Sequence, residues 1–262
     1  MSKLFIPFLS TNIDGPNSNN PYKPMELGLM EEYSDVYPGP QNSALPRRSL
    51  SAITTPALTG KCLGCASFRT LDGLADMVFA GDATKLYRAF SSVTGTFTFS
   101  DISKAGGYTT AAGETWEFVA FSRVTAEKEQ RIIATNFSND IQNVITRTST
   151  THTFTDLITA GTKPKARHLG IIGQFLILGN LVDTATSATA NYTPSRLHWS
   201  AFGNPTAFTP LASTQCDFED LQTGGAVQKI VGGTEYGLIV QEKQVQVMRY
   251  VGGTTIFDFS PL

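Results

Sequence analysis

"TFTFSDIS", residues 96–103, alternates aromatic and small polar side chains and then delivers an acid and an isoleucine. Its core, Phe99-Ser100-Asp101-Ile102, returns as Phe154-Thr155-Asp156-Leu157. It returns again as Phe208-Thr209-Pro210-Leu211 and as Phe259-Ser260-Pro261-Leu262. The pattern is Phe, a hydroxyl residue, Asp or Pro, then Leu or Ile. A box that recurs roughly every 50 residues is either a repeated site or a mark at the end of a repeated unit.

The residues between the copies favour the second. Each interval reads as four short strands, the last carrying the box. The first strands are "KCLGCASFR", "WEFVAFSRV", "ARHLGIIG" and "AVQKIVGG". The second strands, "ADMVFAG", "QRIIATN", "QFLILGN" and "EYGLIVQE", are nearly continuously apolar, as strands buried on both faces should be. The third, "TKLYRAF", "IQNVITRT", "SRLHWSAF" and "QVQVMRYVGG", mix charged and apolar residues and are expected half-buried, nearer an outer edge. Turn-forming clusters separate second from third strands: "GDA", "NFSND", "LVDTATSATANYTP" and "EK". A sandwich would also give many short strands, but not one four-strand cycle with a constant final motif. The expected fold is all-β: a β-propeller of about four visible four-stranded blades, 58–104, 112–160, 165–213 and 225–262. In it the box marks the outermost strand, Phe packs inward, and Asp or Pro turns the chain. Pro donates no ladder hydrogen bond and so suits an edge.

Residues 1–50 differ. "STNIDGPNSNNPYKP" and "YSDVYPGPQNSALPRR" are rich in Asn and Pro, show no apolar period and cannot build a core alone. They read as an extended N-terminal arm ahead of the blades of 51–262, with Tyr22, Tyr33, Val36 and Tyr37 as anchors. The competing reading is a plain tail.

The 262 residues are 41% hydrophobic and 16% charged, with a formal charge of -2. About 25% charged is usual. No basic balance advertises nucleic-acid binding. Three cysteines make no disulfide framework, and no apolar run approaches the roughly 18 residues of a membrane span. With no signal peptide at its start, the chain is expected to be made in a cytoplasm, where the sequons at Asn136 and Asn191 carry no sugar.

The chemistry-bearing candidates are thin. Cys62-Leu63-Gly64-Cys65 could be half a zinc site or a redox pair. Zinc needs two more ligands, and Cys216, His152, His168 and His198 are scattered. In a strand the two sulfurs point to opposite faces, so both cysteines are expected to be inert, buried small hydrophobes. In "HWSAFGNP", Arg196 and His198 should share one face, Leu197 and Trp199 the other. "TLDGLADMVF" and "AAGETWEF" each hold half of an Asp box, and neither completes it. Glu219 and Asp220 are adjacent acids that face opposite ways on a strand. With Glu114 and Asp217 they are the only candidates for a glycoside hydrolase, which needs clustered acids. No nucleophile elbow, metal-binding helix or phosphate loop occurs. The expectation is no enzyme, no cofactor and no metal.

Several stretches carry a resemblance. "VFAGDATKLYR" (78–88), "ISKAGGYTTAAGETWEFVAF" (102–121), "SRLHWSAFGNPTAFTP" (195–210) and "AVQKIVGGTEYGLIVQEKQVQVMRYVGG" (226–253) resemble bacteriophage tail hub or nozzle-like proteins with a β-propeller body. "DVYPGP" is similar to their N-terminal region. The resemblance implies a structural virion protein, made in the bacterial host cytoplasm and carried in the tail. Its copies would form a ring through which DNA leaves the capsid. Neighbours would be portal-adaptor, fibre or tail-tip components, DNA would pass without sequence-specific contact, and nothing would insert in a membrane. It brings no catalytic residues. Related chains run on past this point, so a four-repeat version, a part of a longer protein and a ring completed by another subunit all stay open. The alternative is a receptor- or glycan-binding propeller for host attachment. Trp116 and Trp199 are expected in a first and a third strand, which does not make a repeated sugar site.

Overall fold

The computed structural model describes strand backbone at 36–38 and 44–46. Residues 58–70, 76–90, 98–122, 130–145, 152–161, 163–183, 191–253 and 255–262 are described in full. The chain divides into two compact units, Met1–Ala52 and Ile53–Leu262. In the first, β1 (Val36–Pro38) and β2 (Ala44–Pro46) pair antiparallel. The arm's anchoring side chains, Tyr22, Tyr33, Val36 and Tyr37, lie outside the described residues.

The second unit holds four antiparallel four-stranded sheets, each a simple meander, as the repeat predicts. Blade 1 is β3 (Gly64–Arg69), β4 (Asp76–Gly81), β5 (Leu86–Phe90) and β6 (Ser100–Asp101). Blade 2 is β7 (Glu117–Phe121), β8 (Arg131–Thr135), β9 (Gln142–Ile145) and β10 (Thr155–Asp156). Blade 3 is β11 (Lys165–Ile172), β12 (Phe175–Asp183), β13 (Asn191–Trp199) and β14 (Asp217–Asp220). Blade 4 is β15 (Val227–Val231), β16 (Tyr236–Gln241), β17 (Val245–Tyr250) and β18 (Phe257–Pro261).

Turn chemistry closes the hairpins. In blade 1 the Asp82 carboxylate accepts the N–H groups of Thr84 and Lys85 at 2.8 and 2.7 Å. Asn136 does the same work in blade 2, accepting the Asn139 N–H at 3.0 Å. An Asp or Asn at the first turn position offers the backbone such a partner, which is why "GDA" and "NFSND" turn.

The blades pack in sequence order: β3 against β7, β7 against β11, β11 against β15. Among the described residues, no comparable contact joins blade 4 back to blade 1. Each of the three cores is shared by two consecutive blades. Phe79 and Met77 of blade 1 meet Trp116, Ile132 and Phe154 of blade 2. Phe121 and Ile133 meet Leu169, Leu176 and Leu178 of blade 3. Phe175, Ile177 and Trp199 meet Ile230, Ile239 and Met248 of blade 4. Ile132 and Ile133, or Leu176 and Ile177, are neighbours that serve opposite cores, as strand alternation requires. Each blade thus has a rear face toward the preceding blade and a forward face toward the next.

Two-sided packing changes one expectation. The third strands β5 and β9 are buried along most of their length rather than half-buried. The second strands β8 and β12 are buried nearly throughout and β4 from Phe79 to Gly81, but β16 alternates, buried on the rear and half-buried or exposed on the forward face.

The register corrects the repeat in blade 3. Asp101 lies opposite Tyr87, Asp156 opposite Gln142 and Pro261 opposite Gln246, at equivalent places on their third strands. In each case the next residue, Ile102, Leu157 or Leu262, donates its N–H to the third strand's preceding carbonyl. In blade 3 that place is taken by Asp220, opposite Arg196, with the Leu221 N–H bonded to Ser195 O. The third copy is therefore Phe218-Glu219-Asp220-Leu221. Phe208-Thr209-Pro210-Leu211 lies in the loop before β14: Phe208 is fully buried, Pro210 is outside any strand, and Leu211 is half-exposed. Blade 3 accordingly extends past residue 213 to its outer strand at Asp217–Asp220.

Candidate functional site

The first strands β3, β7, β11 and β15 surround a hollow of about 590 Å³. Cys65, Phe68, Glu117, Phe118, Gly170 and Lys229 are among its lining residues. Its polar centre is Glu117. Lys229 Nζ of blade 4 donates to Glu117 Oε1 at 2.6 Å. His168 Nδ1 of blade 3 lies 3.0 Å from the same oxygen, and the Leu169 N–H donates to Oε2 at 3.0 Å. A carboxylate can only accept, so Nδ1 carries the proton in that contact. Burial alone would push the Glu117 carboxyl up. The hydrogen bonds from His168, Lys229 and Leu169 outweigh it and hold the group below the usual glutamate range. One carboxylate thus ties three blades together around the axis.

A second ionic joint sits between blades 2 and 3. Glu114 takes Arg167 through Nε and Nη2, the latter at 2.7 Å. Arg167 also donates to Asn180 Oδ1 and Tyr192 Oη, and it lies 4.0 Å over the Phe137 ring. Asn180 sits in a bulge of β12 with φ of 58°, and its Nδ2 donates to Val227 O of blade 4. The bulge aims one amide both at Arg167 and Tyr192 of its own blade and at the backbone of blade 4.

A second concavity is a cleft of about 520 Å³ at one end of blades 3 and 4. Phe175, Phe202 and Tyr250 line it, with Gln174, Glu235 and Arg249 at its edge. The Phe175 ring lies 5.4 Å from both Phe202 and Tyr250, so the cleft has an aromatic wall. Phe202 is 48% exposed and Tyr250 38%.

The residues singled out in the sequence do not converge. Cys62 and Cys65 are exposed, not buried: Cys62 precedes β3, and Cys65 lies on the rear face of β3, which no described blade covers. Cys216 is buried, its Sγ 3.2 Å from Trp199 O, and burial, with help from Asp217 and Asp183, pushes its thiol up to about 12. His198 Nδ1 lies 2.9 Å from Asp183 Oδ2, both fully buried. His168 serves the axial network, and His152 is half-buried ahead of β10. Arg196 and His198 share one face of β13, Leu197 and Trp199 the other, as expected. Trp116 falls just before β7 rather than in it, and donates Nε1–H to Asp82 O at 2.8 Å. It covers Gly81, where any Cβ would lie 2.3 Å from the indole. Trp199 donates to Gln215 O and packs on Phe257. Both indoles plug joints between blades.

The four candidate acids are spread out. Glu114 is committed to Arg167, and Asp220 to Arg196 through two 2.6 Å hydrogen bonds. Asp217 and Glu219 lie on the other face of β14 from Asp220. Burial, Asp220 and Asp217 together raise the Glu219 carboxyl. Among the described residues, no group of three His, Cys, Asp or Glu side chains could hold a metal ion. No described helix is long and apolar enough to cross a membrane. Sequence reasoning passed over Glu117 and Lys229. Their only signal is a lone charge within an otherwise apolar first strand.

Four antiparallel meanders stacked around an axial hollow define an all-β, propeller-type body. The chain matches no protein-family model and no curated protein.

Proposed function

We propose that the protein is a structural component of a bacteriophage tail, part of a ring-shaped hub or nozzle through which DNA exits. The observation that carries this reading is where the resembling stretches fall. Residues 102–121 bring Ile102, Tyr108 and Trp116 to the joint between blades 1 and 2. Residues 195–210 and 226–253 build the joint between blades 3 and 4. The resemblance therefore lies in material that welds blades together. The ionic groups fit the same work: Glu117, Arg167 and Arg196 are each engaged by structural partners. A low-charge body bolted at its joints suits a load-bearing element, and ring symmetry suits a tail. The reading assigns the protein no chemistry.

A second reading, attachment to a host glycan, is favoured by one observation, the aromatic cleft of Phe175, Phe202 and Tyr250. Electron microscopy of tails carrying a tagged copy separates the two. A ring of this chain on the tail axis is the expected image. Copies confined to fibres, or a free monomer that binds host glycans, would remove the conduit reading.

A further inference from the structure

We propose that the aromatic cleft at the end of blades 3 and 4 binds a neutral saccharide, one sugar ring lying on Phe202 and Tyr250 and its hydroxyls held by polar side chains at the rim. The inference rests on the attachment reading of this cleft. It deepens that reading from a glycan in general to a class of ligand with named contacts.

The cleft is built in advance of any ligand, and blades 3 and 4 supply both its flanks. The Gly173 N–H, in the turn between β11 and β12, donates to Gly233 O of blade 4 at 2.8 Å. The Gly233 N–H returns to Ile171 O at 3.0 Å, and the Gly203 N–H donates to Gln174 O at 2.9 Å. The Phe202 N–H is bonded to Thr214 O at 3.0 Å. Segments distant in sequence are thus fixed by main-chain hydrogen bonds around one hollow. The rings are fixed too. Phe175 is buried and packs against Phe202, Tyr250 and Phe257 at 5.4, 5.4 and 5.1 Å. Tyr250 is held at its far end, where its hydroxyl donates to Gln215 Oε1 at 3.2 Å. Phe202 and Tyr250 rest on this support with their rings 6.4 Å apart and inclined by 30°. Two exposed rings so near to parallel make a shallow platform. Their faces carry partial negative charge, which suits the weakly positive C–H face of a sugar ring.

The rim decides the ligand class. Gln174, Thr234, Glu235 and Arg249 share the lining. Among the described residues, the side chains of these four make no hydrogen bond or ion pair. Arg167, Arg196 and Lys229, by contrast, are all engaged. An anionic ligand would meet Glu235, and a cationic one would meet Arg249. A hydrocarbon would take water from four polar groups and replace none of it. A neutral polyol satisfies all four, since a hydroxyl donates to the carboxylate and accepts from the guanidinium or the amide. A sugar ring adds the rigid C–H face that a flexible polyol lacks. The volume of about 520 Å³ lies within the range of small-molecule sites, about 300–1,000 Å³, so the ligand is a short saccharide or the end of a longer one.

Saturation-transfer NMR on the full chain tests this. The neutral probes are maltose, lactose, methyl α-mannoside and N-acetylglucosamine, and the charged ones are glucuronate and tetramethylammonium. At least one neutral sugar is expected to receive saturation at its ring C–H protons and to bind more tightly than either charged probe. Phe202→Ala should weaken that sugar about tenfold or more, through loss of apolar cover. Glu235→Gln should weaken it less and strengthen glucuronate, because the repelling charge is gone. Glu235 is exposed, so this variant gives the result if Phe202→Ala fails to fold. Tyr236→Ala, an exposed aromatic outside the cleft lining, should change nothing. A folded wild type that binds none of the neutral sugars, or prefers a charged probe, overturns the inference. So does sugar binding indifferent to both Phe202→Ala and Glu235→Gln. Sugar bound at the cleft by a chain whose tails ignore host glycans would keep the inference and remove the attachment reading. Attachment to host glycans that survives both variants would do the reverse.

Discussion

The corrected repeat makes a sharp prediction at two leucines ten residues apart. If the third copy is Phe218-Glu219-Asp220-Leu221, then Leu221 does the work of Ile102 and Leu157. Those two are each 3% exposed, and Leu221 is 6% exposed within the core between blades 3 and 4. Truncating a buried leucine to alanine costs about 2–5 kcal/mol, more where the site cannot collapse. Leu221 sits on the last strand of its blade, near the lower half of that range, so about 3 kcal/mol is expected for Leu221→Ala. In a folding unit of this size a loss of 1 kcal/mol lowers the melting temperature by about 2–4 °C, which gives a drop of about 6–12 °C. Leu211 is 54% exposed. Leu211→Ala should stay within about 0.5 kcal/mol, as surface changes do. Urea unfolding and calorimetry of the two variants read the difference directly. Equal losses, or a larger loss at Leu211, would refute the register and restore residues 208–211 as the blade's outer strand.

Two other perturbations test the joints. Glu117 is held below the ordinary glutamate value of 4.5, so its network contributes stability that is present above about pH 4.5 and lost as the pH falls toward its folded value. Glu117→Gln should lower stability at neutral pH and flatten the acid limb of a stability–pH profile, and an unchanged acid limb would remove Glu117 as its cause. At Gly170 a Cβ would lie 2.2 Å from Ile230 Cγ2, so Gly170→Val should prise blade 4 from blade 3 and cost about 2 kcal/mol or more. Thermal unfolding within 2 °C of wild type would contradict that close approach.

Much of the architecture was legible because strand alternation is a strong signal. The split of Arg196 and His198 from Leu197 and Trp199 follows from a period of two, the buried second strands from nearly unbroken apolar runs, and the four-strand cycle from the turn clusters and the recurring box. The third outer strand was hidden by one demand too many, a hydroxyl at the second place. In all four true copies that place is exposed: Ser100, Thr155, Glu219 and Ser260. An exposed edge position accepts any polar residue, so glutamate was no disqualification, while Phe208-Thr209-Pro210-Leu211 imitated the letters without the register. The burial of Cys65 was misjudged for a related reason. Alternation gives its face correctly but does not say whether another sheet covers that face. The Glu117, His168 and Lys229 network was invisible because it joins three blades that only folding brings together.

The fourth place of the repeat reports on neighbours more than on its own blade. Ile102, Leu157 and Leu221 point forward, and each is buried in the core shared with the following blade. Leu262 holds the same hydrogen-bonded position and is 82% exposed. Sequence and local backbone are alike at all four places, so the difference comes from what lies in front. The same contrast runs along β16, where a strand as apolar as β12 is buried on one side only.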